Sequence, residues 1–90
     1  MYELIFTNQF KKDYKQCIKR KLDILLLDNL FTYLADTGTV PVKHKPHLLS
    51  GNMQGKWECH IKPDWLLIWI KEETQKTITL IGTGSHSYLF

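Results

Sequence analysis

The sequence predicts an α+β fold: an N-terminal strand and a two-helix hairpin packed on a small, mostly antiparallel sheet. Apolar residues recur at helical spacing in two consecutive stretches before residue 36. Three β-patterned runs follow after residue 54, separated by turn sequences. The 90 residues, 43% apolar and 23% charged, are expected to form one globular domain over 1–90 with a buried core.

The elements follow in order. Tyr2 to Phe6 alternates as a short strand. Thr7 or Asn8 can cap the helix that carries Phe10, Tyr14, Cys17 and Ile18 on one side and its lysines on the other. A turn near Arg20 leads into a second helix from Leu22 to Ala35. Its apolar stripe is Leu22, Leu25, Leu26, Leu30, Tyr33 and Leu34, widened by Leu27 and Phe31. Gly38 caps its end and Pro41 prevents its resumption. Residues 39–54 read as a long loop without regular structure, a length that points to function or disorder. Gly55 to Ile61 alternates, with Trp57, Cys59 and Ile61 on one face and Lys56, Glu58 and His60 on the other. Lys62-Pro63-Asp64 makes a tight turn, since Pro and Asp suit its central positions. The unbroken apolar run Trp65 to Ile70 is then a central strand buried on both faces. After a turn at 72–76 comes the strand Thr77 to Ile81. Gly82 to His86 reads as a flexible exit, and Ser87-Tyr88-Leu89-Phe90 as an apolar end that needs docking.

Composition excludes several classes. No apolar run reaches the roughly 20 residues of a membrane span, and the opening residues lack the pattern of a signal peptide. A cytosolic protein with two buried thiols, Cys17 and Cys59, is expected, not a disulfide-bonded one. The net charge of +3 is uneven: residues 1–45 hold eight Lys or Arg against five Asp or Glu, and the remainder four of each. The basic cluster Lys11 to Lys21 suits a solvated helix face, a phosphate backbone or an acidic partner.

Candidate chemistry gathers around the 62–64 turn. His60 ends one strand and Asp64 opens the next. If the last three strands form a meander, the chain returns to the same edge near His86, and His47 lies in the loop entering the first of them. Three imidazoles and a carboxylate suit acid–base cleavage of RNA. The 2′-hydroxyl must lose a proton and the 5′-oxygen must gain one, and imidazoles with pKa near roughly 6.5 do either. Lys43 and Lys45 are candidate phosphate-binding residues. No metal or other cofactor is required. Each group also has a plainer use. His44 suits a solvated loop, His60 can pair with Glu58, and Asp64 can be only the acceptor of its own turn. A zinc site from His47, Cys59, His60 and His86 is disfavoured, because adjacent strand residues Cys59 and His60 point to opposite faces.

The stretch His60-Ile61-Lys62-Pro63-Asp64-Trp65-Leu66-Leu67-Ile68-Trp69, with Gly82-Thr83-Gly84-Ser85-His86 and the Tyr88-Leu89-Phe90 end, resembles the YafQ branch of the RelE-like toxins. These belong to bacterial type II toxin–antitoxin systems. The likeness spans essentially the whole chain, including Pro46-His47-Leu48-Leu49-Ser50-Gly51. It implies the RelE-like microbial RNase fold and a ribosome-dependent mRNA endonuclease acting in the A site, against 16S rRNA. It also implies a cognate antitoxin, operator DNA reached only through that antitoxin complex, and no membrane. Carried over by position, it marks His47, His60, Asp64 and His86 as catalytic and Trp65 and Phe90 as aromatic positions of the site. His86 is then the general acid, His47 or Asp64 the base, and His60 an orienting group. The chain departs from the pattern where relatives commonly carry arginine, at Trp57 and Gly82; Arg20 is its only arginine. Arginine is the stronger bidentate phosphate donor. The departure therefore raises a second reading, a weakened toxin-fold module serving as antitoxin partner and operator-DNA co-repressor.

Overall fold

The computed structural model describes residues 1–90 as β1 (Glu3–Phe6), α1 (Asn8–Lys19), α2 (Ile24–Thr37), β2 (His47–Leu48), β3 (Trp57–Lys62), β4 (Trp65–Glu72), β5 (Thr77–Gly84) and α3 (His86–Leu89). The sheet order is β1-β5-β4-β3-β2. β1 runs parallel to β5, and every other pairing is antiparallel. The α+β expectation therefore holds, meander included.

Local chemistry sets the boundaries. The Thr7 hydroxyl accepts the Phe10 amide at 3.1 Å and donates to the Leu80 carbonyl at 2.8 Å, so the cap of α1 is also its tie to β5. Gly38 closes α2 in the left-handed conformation, φ 80°, returning its amide to Leu34. Trp65 to Trp69 are buried without interruption, because β4 is the middle strand. Trp65, Leu67 and Trp69 join Phe10, Cys17, Leu27, Leu30 and Leu34 in one core.

Three expectations need correction. The buried stripe of α2 is Leu27, Leu30 and Leu34; Leu25 is 67% exposed and Tyr33 48%, so an even run of leucines misled the choice of face. Residues 39–54 are not structureless: they hold 3-10 turns at Val42–His44 and Gly51–Met53 and the strand β2. Gly82, Thr83 and Gly84 are buried strand, not a flexible exit. Ser85 then caps α3, its hydroxyl accepting the Tyr88 amide at 3.2 Å.

The helix hairpin is pinned by Tyr14, whose hydroxyl donates to Asp28 at 2.7 Å. That hydrogen bond, with burial and the carboxylate's charge, pushes Tyr14 up from 10.0 to about 12. An acid whose pKa rises on folding stabilises the fold fully below its unfolded value, and the contribution disappears as pH climbs through the folded value. Between about pH 10 and 12 the wild-type unfolding midpoint should therefore fall more steeply than that of Tyr14→Phe. Parallel curves for the two chains would show that the bond contributes nothing.

Candidate active site

The turn between β3 and β4 brings the first pair together. The β3–β4 register slips between His60 and Lys62. His60 turns its Nδ1 toward the Pro63 carbonyl at 3.3 Å. A carbonyl only accepts, so Nδ1 is the donor in this contact, and Nε2 makes no hydrogen bond. Across the sheet, Leu66 pairs with Gly84, which sets the end of β5 beside the start of β4. Asp64 Oδ1 there accepts the main-chain N–H of His86 at 3.1 Å. The carboxylate and α3 thus meet at one end of the sheet.

His47 approaches His60 from β2. It stands opposite Glu58 in the β2–β3 register, and its Nε2 lies 3.2 Å from Glu58 Oε1. Its Nδ1 donates to the Lys45 carbonyl at 2.9 Å. Both ring nitrogens thus face oxygen atoms, one a carboxylate and one a carbonyl. The His47 and His60 rings stack with centroids 6.5 Å apart and planes 23° apart. Glu58 is buried and engages His47, so the expected alternative, a His60–Glu58 pair, is not formed.

A cationic cleft of about 570 Å³ opens beside His60, lined by Lys43, His44, Lys45, Lys62 and Pro63, with Leu26 and Ile61. No carboxylate lines it, and its three lysines make no ion pair. Lys45 sits in the left-handed conformation at φ 53°. His44 is half-buried, not a solvated loop residue: its Nδ1 donates to the His60 carbonyl at 2.8 Å, tying the loop to β3.

The aromatic positions divide. Phe90 is 51% exposed and its ring lies 5.0 Å from that of His86. Trp65 is 4% exposed and its indole N–H donates to Thr83 Oγ1 at 3.0 Å, so its ring is not open to a base. Thr83 lies three residues before His86. Trp57 stacks on Trp69 at 6.3 Å on the core side. Cys59 is fully buried, and burial pushes its thiol up to about 12. No three His, Cys, Asp or Glu side chains are grouped to hold a metal ion. No helix is long and apolar enough to cross a membrane.

Sequence comparison assigns the family. The family model described as "Bacterial toxin of type II toxin-antitoxin system, YafQ" matches residues 2–90. The chain belongs to the YafQ toxin family. It is 35% identical over 89 residues to the mRNA interferase toxin YafQ of Escherichia coli K12, covering 98% of this chain and 95% of that one. YafQ from E. coli strain BL21(DE3) superposes with a TM-score of 0.89 at 31% identity, over 100% of this chain and 99% of the other. YafQ in the E. coli DinJ–YafQ complex gives 0.89 at 32%, again over 100% and 99%. The five-strand mixed sheet with its helices is thus the YafQ arrangement, a RelE-like fold.

Among the four residues marked from sequence, His47 lies beside His60 and Asp64 beside His86. Glu58, His44 and Lys62 were missed as site residues. Strand alternation had already put Glu58 on the same face as His60; that it faces His47 depends on a two-residue strand with no apolar pattern of its own.

Proposed function

We propose that this chain is an mRNA interferase, an endoribonuclease that cuts mRNA in the ribosomal A site by metal-independent acid–base chemistry. Family membership and the joining of the His47–His60 and Asp64–His86 pairs through the 60–64 turn carry the reading. The 2′-oxygen attacks the adjacent phosphorus, the P–O5′ bond breaks, and a 2′,3′-cyclic phosphate and a 5′-hydroxyl result. The base takes the 2′-hydroxyl proton, and the acid supplies one to the leaving oxygen.

The hydrogen bonds favour particular roles. His86, on the exposed α3 beside Phe90, protonates the 5′-oxygen. His60 fits the base better than the orienting role first given to it, because Nδ1 donates to Pro63 and Nε2 is left free. His47, held between Glu58 and the Lys45 carbonyl, presents a cation to the phosphate. Asp64 then acts on His86 through the start of α3 and is not needed as base. Lys43 and Lys45, with Lys62, grip the RNA backbone in place of the arginines absent at Trp57 and Gly82. Phe90 offers a face for a base to stack on.

The partners are mRNA, the ribosome with its 16S rRNA, and a cognate antitoxin through which the pair reaches operator DNA, all in the bacterial cytoplasm. The chemistry is tested by the ends of the RNA fragments: cyclic phosphate and 5′-hydroxyl are expected, and 3′-hydroxyl with 5′-phosphate would contradict the mechanism. Expression alone should arrest bacterial growth, and coexpression of the antitoxin should restore it. Unimpaired growth without antitoxin would favour the second reading, a binding module whose cleavage lapsed with its arginines.

A further inference from the structure

Asp13 is the one charged residue of α1 that is buried, 2% exposed on a helix whose other charges face water. A buried carboxylate is tolerated only when its lone pairs are satisfied. Here the Tyr88 hydroxyl donates to Oδ1 at 2.6 Å, Gln9 Nε2 donates to Oδ1 at 2.9 Å, and the Thr83 amide donates to Oδ2 at 3.2 Å. Two of these donors flank the start of α3, and Tyr88 belongs to it.

α3 has few other holds. It is a single turn, with Tyr88 and Phe90 about half exposed. Its first amide is taken by Asp64 and its cap is Ser85. The strand beneath is bare: a Cβ on Gly84 would stand 2.8 Å from the Tyr88 ring, and one on Gly82 would stand 3.2 Å from Leu89 Cδ2 and 3.1 Å from Asp13 Oδ2. Position 82 is where the resemblance leads one to expect arginine. Any side chain there would press on the very carboxylate that Tyr88 holds, and on Leu89.

We propose that the Asp13–Tyr88 hydrogen bond anchors α3 and thereby positions His86 for proton transfer, an inference that rests on the nuclease reading above. Tyr88 is a positioning residue, two places from His86, and Gly84, where a Cβ would stand 2.8 Å from its ring, leaves it room to reach Asp13. Asp64 fixes the start of the turn and Asp13 fixes its far side, so the backbone that carries His86 is held from both ends. The hydrogen bond to the carboxylate also raises the Tyr88 hydroxyl above its ordinary value.

Tyr88→Phe keeps the ring over Gly84 and removes only the hydroxyl. Cleavage of mRNA on programmed ribosomes should slow at least about tenfold at saturation, with the half-saturating concentration unchanged, because geometry and not binding is lost. Amide exchange should accelerate at Leu89 and Phe90, whose N–H groups close α3, and stay as in wild type in β4. Wild-type cleavage by Tyr88→Phe overturns the inference, whether or not exchange changes. Slow cleavage with wild-type exchange at Leu89 and Phe90 overturns the anchor as its cause. Gly82→Arg, which crowds Asp13 and Leu89, should slow cleavage in the same way; a faster enzyme would count against the arrangement. Should the wild-type chain cut no mRNA, the functional reading falls and the positioning claim with it, while the exchange measurement still decides whether the anchor exists.

Discussion

His86→Ala should lower the rate of mRNA cleavage by roughly 10²- to 10⁴-fold, the usual contribution of one positioned acid or base. The fold should survive the change. Asp64 takes the main-chain N–H of residue 86, not its ring, so alanine keeps that bond and the start of α3. The imidazole is exposed and lies against the half-exposed Phe90, ring centroids 5.0 Å apart, so little packing is lost. Single-turnover cleavage read beside thermal unfolding separates the two effects. A variant within threefold of the wild-type rate would remove His86 as the acid and leave the fold account untouched.

Trp69→Ala should cost about 3–5 kcal/mol, the range for deleting a large buried aromatic side chain. That is a large part of the 5–15 kcal/mol by which most domains are stable. Trp69 is fully buried in the middle strand, stacked on Trp57 and surrounded by the core under the helices. Its indole N–H is buried without a partner. Trp69→Phe keeps most of the apolar volume and removes that unpaired donor, so it should cost much less than alanine. Denaturant midpoints for the two variants check the ordering. An equal loss in both would mean that the indole N–H has a partner worth more than the ring.

The architecture was legible because the patterns that specify it are local. Trp65 to Trp69 announces a strand covered on both sides, although Ile70, expected to be buried with them, is 37% exposed, and Pro63-Asp64 announces the turn that places His60 and Asp64 at one edge. The meander then brings His86 to the same place, as strand order alone requires. What stayed hidden depends on contacts distant in sequence. Glu58 looked like any polar-face residue until β2 set His47 against it. Asp13 looked like one acid among lysines until Tyr88, 75 positions later, donated to it. The α2 stripe failed for a different reason: leucines fill so many positions between Leu22 and Leu34 that periodicity cannot select a face, and burial by β-strand packing chose Leu27, Leu30 and Leu34. Trp65 shows the limit of position-by-position transfer from relatives, since an aromatic associated with a site can be buried beneath it.

The most direct measurement is the mapping of mRNA ends in a reconstituted translation reaction, with wild type, His60→Ala and His86→Ala compared at equal protein concentration and a ribosome-free control. Wild type is expected to produce cuts confined to the codon in the A site, dependent on ribosomes, with both variants reduced by orders of magnitude. Cuts of equal intensity in all three proteins, or none in wild type, would contradict a shared acid–base site built from the turn at 60–64 and the helix that begins at His86.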